Sequence, residues 1–219
     1  MRILATADLH GFAKVAEWIA EKALSEHVDA IVAAGDLLGV PDGPPTVEEA
    51  QLQSGAQIAS ILGTSQRPVL YIMGNDDLVE LPPKNGDLHY LQGRRLSLGG
   101  FAFVGYQYSL PFMGGPFEKP DDEIAKDLNT LEHLIDDHTV LVTHSPAYGV
   151  LDGRFLGSQA ILSTIEARAP LAHIHGHIHR CFGREGRHFN VASGGRLQAM
   201  IVELPSLMHS VVRGPKAEL

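Results

Sequence analysis

The segments ILATADLH (Ile3–His10) and AIVAAGD (Ala30–Asp36) decide how the chain is read. Each starts as a short apolar run of strand length, with Ile3–Ala7 and Ala30–Ala34 as the predicted strands, and each ends in acidic or imidazole groups. Between them, Phe12–Glu26 carries Val15, Trp18, Ile19 and Ala23 on one stripe, which predicts an amphipathic helix. Strand, helix and strand in succession are the pattern of a βαβ unit with parallel strands. A helix over Val47–Leu62 and a strand over Val69–Met73 continue the alternation.

From Leu88 the texture changes. Arg94–Leu98 and Phe101–Tyr106 flank Gly99-Gly100, a hairpin signal, so the second half is expected to be mixed rather than purely parallel. Residues 107–120 are rich in Pro, Gly and aromatics and read as a long loop. A helix over Asp121–Ile135, a strand over Thr139–Thr143, a helix over Ser158–Arg168 and a strand over Leu171–Ile174 come next. Three further strands are predicted at Arg187–Ala192, Ala199–Leu204 and Met208–Val212. Asp42-Gly43-Pro44-Pro45 and Leu81-Pro82-Pro83 punctuate loops rather than divide the chain. The expectation is an α/β fold in one domain over residues 1–219, with two mixed β-sheets covered by helices on their outer faces.

Composition narrows the function. With 219 residues, 44% apolar and 20% charged, the chain has the make-up of a globular protein with an ample core. No run approaches the roughly 18 apolar residues of a membrane span. The N-terminal apolar run meets Asp8 too early for a signal peptide, and the one cysteine, Cys181, suits a reducing compartment, so a cytoplasmic location is expected. A net charge of −9 with 17 scattered Lys and Arg argues against an extensive nucleic-acid surface. The apolar strand near the C-terminus is a candidate contact for a homodimer.

The informative residues stand just past the end of each strand: Asp8 and His10; Gly35-Asp36; Gly74-Asn75-Asp76-Asp77; His144; and Gly176-His177-Ile178-His179. In α/β sheets, ligands gather beyond the carboxyl ends of the strands, so these distant residues can converge. Carboxylate, imidazole and amide oxygen without thiolate suit manganese, with iron or zinc as alternatives, and the set exceeds what one ion uses. Two divalent ions bridged by Asp36 are therefore expected. Together they would outweigh the carboxylates and make a locally cationic pocket for a phosphate in an acidic protein. Alone, the Asp, Gly-Asp and Gly-Asn-Asp motifs read more simply as turn chemistry and His144 as a core histidine, while Gly176-His177-Ile178-His179 is a stronger signal because alternating histidines are a costly way to line a strand; the case rests on all five together. Nucleophile-elbow, Walker A and dinucleotide-binding signatures do not occur. Tyr106, Tyr108, Phe112 and Phe117 either wall the pocket or pack on the sheet, and His175 and His188 either face the site or support it.

In order and spacing, these five motifs resemble the signature of the calcineurin-like metallophosphoesterase superfamily over nearly the whole chain. Thr143-His144-Ser145-Pro146 and Gly149-Val150-Leu151-Asp152 further resemble its small branch containing the metallophosphoesterase-domain brain proteins and class III cyclic-nucleotide phosphodiesterases. The resemblance implies a four-layered α/β/β/α sandwich. It implies one ion held by Asp8, His10, Asp36 and His179, and a second by Asp36, Asn75, His144 and His177. It implies a phosphohydrolase in which a metal-bridging hydroxide attacks phosphorus, most simply on a small phosphodiester, with a nucleotide as one candidate substrate. Where the superfamily carries Gly-Asn-His, this chain has Asp76, so Asn75, Asp76 and neighbouring Asp77 are the candidate catalytic residues. An ionised Asp76 cannot protonate a leaving group unless a neighbour such as Asp77 raises its pKa, which predicts weaker activity on poor leaving groups. The rival readings are a binding or regulatory module of the same fold, and a phosphomonoesterase or protein phosphatase whose extra cations would come from Arg154, Arg180 or Arg196.

Overall fold

The computed structural model describes residues 1–81 and 87–215, so Pro82 and Pro83 of the second predicted loop lie outside the described residues. The first half alternates as expected: β1 (Arg2–Thr6), α1 (Ala13–Ser25), β2 (Ala30–Ala34), α2 (Val47–Gly63) and β3 (Val69–Ile72). Next come β4 (Leu88–Tyr90), β5 (Arg95–Leu98), β6 (Phe101–Tyr106), α3 (Asp121–Leu131), β7 (Thr139–Thr143), α4 (Gln159–Arg168) and β8 (Ala172–His175). The last strands are β9 (Gly183–Glu185), β10 (His188–Asn190), β11 (Gln198–Glu203) and β12 (Met208–Arg213).

The strands form two six-stranded mixed sheets, ordered β12-β11-β1-β2-β3-β4 and β5-β6-β7-β8-β10-β9. In the first, β1 through β4 run parallel, β11 runs antiparallel to β1, and β12 runs antiparallel to β11. In the second, β6, β7, β8 and β10 run parallel between antiparallel edges. The two-residue period of the strands sorts their side chains between layers. Ile3, Val32 and Ile72 of the first sheet meet Phe103, Val140 and Ile174 of the second in a core between the sheets. Leu4, Ile31 and Tyr71 point the other way, onto Val15, Ile19 and Ile58 of α1 and α2. Val104 and Leu141 pack against Ile124 and Ile161 of α3 and α4. The result is the α/β/β/α sandwich.

Local chemistry starts the helices. Thr46 caps α2 by accepting the Glu49 N–H at 3.2 Å, and Ser158 caps α4 by accepting that of Ile161 at 3.1 Å. The expected helix to Ile135 stops at Leu131, and residues 132–134 tighten into a 3₁₀ turn. Two three-residue edge strands, β4 and β9, are additional to those expected from the sequence. Both are too short to show a period, and Gly-Arg-Glu of β9 carries no apolar residue.

The predicted strand Arg187–Ala192 ends early because the chain changes sheets there. The Val191 N–H donates to the His175 carbonyl at 2.8 Å, and the Val191 carbonyl accepts the Ala7 N–H at 3.1 Å. This crossover ties the carboxyl end of β1 to that of β8, which draws the functional loops of both sheets to one end of the sandwich.

Candidate metal centre

The five strand ends converge. Asp8 and His10 lie past β1, Asp36 past β2, Asn75 and Asp76 past β3, His144 past β7, and His177 and His179 past β8. Backbone hydrogen bonds knit these loops together: Asp8 N–H to Gly35 carbonyl at 2.9 Å, His10 to Asp36 at 3.0 Å, and Gly176 to His144 at 3.2 Å. The donor atoms of Asp8, His10 and His179 lie within 4.8 Å of one another, and so do those of Asp36, His144 and His177. A third group of the same size, His10, Asp36 and Asp76, joins the first two. Asn75 enters the second set, its Oδ1 lying 3.0 Å from His144 Nε2.

Four of these residues carry a conformational cost. Asp8, His10, Asp36 and His177 have φ of 56°, 47°, 51° and 70°, in the left-handed region that costs a non-glycine residue about 1 kcal/mol or more. Glycines make the room. A Cβ on Gly74 would collide with Asp36 Oδ1, and one on Gly176 would collide with Asp8 Oδ2. Gly74 and Gly176 therefore each seat a carboxylate from another strand end, and Gly35 leaves room for the His144 ring.

Asp8 and His144 are fully buried behind the cleft, whereas His10, Asp36, Asn75, Asp76, His177 and His179 line a cavity of about 580 Å³. Burial opposes ionisation of Asp36, but the adjacent His144 imidazolium outweighs it and draws the carboxyl down to about 2. Burial likewise opposes protonation of His144, yet Asp36, with Oδ2 3.2 Å from Nε2, lifts it to about 10. His179 is raised by its 3.1 Å hydrogen bond to Asp8, while burial and the His144 charge push His177 down to about 4.

These residues fit divalent ions. His144 Nδ1 lies 2.8 Å from the Ala34 carbonyl, which places the Nδ1 proton there and leaves Nε2, facing Asp36, as the nitrogen that would give up its proton to bind an ion. The Asp8 carboxylate is oriented by the His177 N–H at 3.1 Å, and Asp36 Oδ1 by the Asp76 N–H at 2.9 Å. The donor set is hard oxygen and borderline imidazole, held by backbone strain and glycine clearance.

The candidates of the Asn75-Asp76-Asp77 turn separate. Asp76 faces the cleft, 3.5 Å from His10 Nδ1, and burial and then the Asp36 charge raise its pKa. Asp77 turns away: its carboxylate accepts the N–H groups of Leu38 and Gly74 at 2.8 Å and of Leu37 at 3.2 Å. Asp77 therefore fixes the loops that carry Asp36 and Asn75 instead of reaching the reacting groups, and Asp36, rather than Asp77, is the charge that raises Asp76.

Of the four loop aromatics, Phe112 alone lines the cavity. Tyr106 is buried beneath α3 with its hydroxyl on Asp127, and Tyr108 and Phe117 pack on the outer cores. His175 is buried inside β8 and stacks on His173, and His188 pairs with His173 at 3.0 Å. Arg180 joins the cleft wall, unlike Arg154 and Arg196. Sequence reasoning missed Ser193, whose hydroxyl donates to the Asp8 carbonyl at 2.9 Å, and Phe155 and Leu156, which line the cleft.

The calcineurin-like phosphoesterase family profile matches residues 1–181. The chain belongs to that family. TT1561 of Thermus thermophilus superposes with a TM-score of 0.72 over 97% of this chain and 98% of its own, at 18% identity. A dimetal phosphatase from Danio rerio superposes with a TM-score of 0.59 over 88% and 86%, at 14% identity. UPF0046 protein K07C11.7 of Caenorhabditis elegans is 33% identical over 97 residues, 43% of this chain and 32% of that protein. The match thus spans about a third of the length of that curated relative. Among the described residues no helix is long and apolar enough to cross a membrane. Membership and the adjoining Asp/His groups together support divalent metal binding at this site.

Proposed function

We propose that the chain is a phosphodiesterase holding two divalent ions, manganese first and iron or zinc as alternatives, and acting on a small phosphodiester. The observation that carries this reading is the pair of adjoining donor groups, Asp8/His10/His179 and Asp36/His144/His177, linked through His10, Asp36 and Asp76 at one end of both sheets. Divalent ions in such a centre activate water and offset charge on the phosphoryl oxygens. The ligand sets are those implied by family resemblance, with Asp36 shared.

The protein's own groups then divide the work. Asp8 and Asp36 supply fixed negative charge, each oriented by a backbone N–H. His144, tied to Ala34, presents one nitrogen in a fixed direction, and Asn75 presents its amide oxygen beside it. His10 and His179 line the cleft with their side chains partly exposed. In this reading Asp76, which lines the cleft 3.5 Å from His10 Nδ1, serves the leaving group, and burial of its carboxyl favours the protonated form that can donate. When ionised, Asp76 repels a phosphomonoester dianion more than a diester monoanion, which favours diesters. The single Cys181 fits a cytoplasmic setting.

Metal-titrated hydrolysis of bis(p-nitrophenyl) phosphate beside p-nitrophenyl phosphate tests the reading. Metal-dependent cleavage of the diester in preference to the monoester is expected. Preference for the monoester contradicts the diester assignment, and bound metal without turnover of either supports a regulatory module.

A further inference from the structure

We propose that the substrate is a phosphodiester with two apolar ester arms, one lodged in each of two clefts that share a wall at His10, Asn75 and Asp76. This rests on the phosphodiesterase reading above and names the chemistry of both ester groups. The first cleft, about 580 Å³, carries Phe112, Met113, Phe155 and Leu156 beside the ligand cluster. The second, about 500 Å³, carries Val40, Val47, Leu78 and Met113. A phosphorus seated at the shared wall has its two ester oxygens directed apart, and a cleft is available for each. A monoester would leave one of them empty.

The walls are apolar and exposed. Phe112, Met113 and Phe155 are 74%, 71% and 69% exposed, and Val40 is 59% exposed. Apolar side chains gathered at a cleft in this way mark a surface that a ligand covers.

Most polar groups beside them are already engaged, and Arg180, the cation on the first wall, donates to the Gly153 carbonyl. In the first loop the Glu118 carboxylate accepts the N–H groups of Phe112, Met113 and Gly114, each at 2.8 Å. In the second, buried Asp152 accepts those of Gly149 at 2.7 Å, Phe155 and Gly157 at 3.1 Å and Arg154 at 3.2 Å. Both loops therefore turn their amides inward onto a carboxylate and present side chains outward. Phe155 is held outward at φ 62° and stacks on Tyr148 with ring centroids 5.2 Å apart. In the second cleft the Gln51 carboxamide is occupied by the Asp76 carbonyl and the Leu78 N–H. Sugar hydroxyls or a base edge would lose water at such walls without replacement, whereas alkyl or aryl groups gain by burial.

Two readouts on the metal-loaded full chain test this. The first is kcat/KM for bis(p-nitrophenyl) phosphate against methyl p-nitrophenyl phosphate, which share a leaving group and differ in the other arm. The second is calorimetric binding of dibutyl phosphate against dimethyl phosphate, which needs no turnover. Each buried methylene is worth about threefold to fourfold in affinity, so the dibutyl ester should bind at least about tenfold tighter. Phe155→Asn, chosen because Asn tolerates the left-handed backbone, and Val40→Ser should each shrink both ratios several-fold. Equal binding of the two dialkyl phosphates overturns the proposal, as do ratios unmoved in both variants or tighter binding of a nucleoside methyl phosphate than of dibutyl phosphate. Selective binding of dibutyl phosphate without turnover of any diester keeps the proposal and removes the catalytic reading instead.

Discussion

His173 and His175 lie inside β8, while His177 and His179 lie just beyond its end, on the other side of Gly176. The inner pair is buried, and among the described residues no carboxylate pairs with it: His173 meets Thr143 and His188, and His175 stacks on His173. Burial holds both pKa values down, His175 to about 3. The outer pair sits over Asp8 and Asp36, within reach of the donor groups of both carboxylates. One alternating tract thus yields neutral core packing on one side of a glycine and candidate metal ligands on the other. Position relative to the strand end, not residue type, separates the two.

Truncating one histidine from each side puts this contrast under the greatest stress. His177→Ala should lower diester kcat/KM by about a thousandfold, the scale of losing a group that stabilises the transition state. His173→Ala should leave turnover within a few-fold while costing about 2–4 kcal/mol of stability, measured by urea unfolding. Equal losses of turnover in the two variants would erase the distinction. Gly176→Ala comes next. The added Cβ would strike Asp8 Oδ2, so metal affinity should fall by about 10- to 100-fold, as when a ligand's support is disturbed.

Acid sensitivity refines the inner side. A buried neutral histidine keeps its proton off in the fold but gains it in the unfolded chain below about pH 6.5. The stability contributed by His173 and His175 is therefore full above about pH 6.5 and is lost as pH falls toward the folded values, about 3 for His175. Each adds up to about 1.4 kcal/mol per pH unit to the acid-side slope. His144 behaves oppositely in the metal-free chain: its contribution is full well below pH 6.5 and is lost as pH rises from about 6.5 through about 10, so above about pH 6.5 it opposes that slope, by the same amount in the wild type and in an inner-histidine variant. Urea unfolding of chelated protein between about pH 7.5 and 5.5 should show a shallower slope in His173→Gln than in the wild type. The smallest effect is expected at Asp76. Asp76→His should raise turnover of a cyclic nucleotide several-fold and leave an aryl diester nearly unchanged, because the aryl leaving group needs little protonation; equal changes on both would remove leaving-group protonation as the explanation.

Much of this was legible in the sequence because strand ends are. Ala30–Ala34 and Thr139–Thr143 coincide with β2 and β7, and the donors past the strands meet at one end of the sandwich. Side-chain direction within a turn was not legible. Asp76 and Asp77 are identical in chemistry, and only the fold turns one into the cleft and the other onto the amides of Leu37, Leu38 and Gly74. Phe155 and Leu156 escaped for a related reason. They sit in a loop with no period, and their exposure comes from Asp152 gathering the backbone behind them.

If the strand-end residues bind metal as a pair of sites sharing Asp36, the number of ions per chain must depend on that one carboxylate. Metal content, counted by mass spectrometry after reconstitution with manganese and desalting, decides this in the wild type, Asp36→Ala and His173→Ala. Two ions per chain are expected in the wild type and in His173→Ala, with loss of both from Asp36→Ala. A wild type that retains no ion, or an Asp36→Ala chain that retains both, would refute the shared-carboxylate pair.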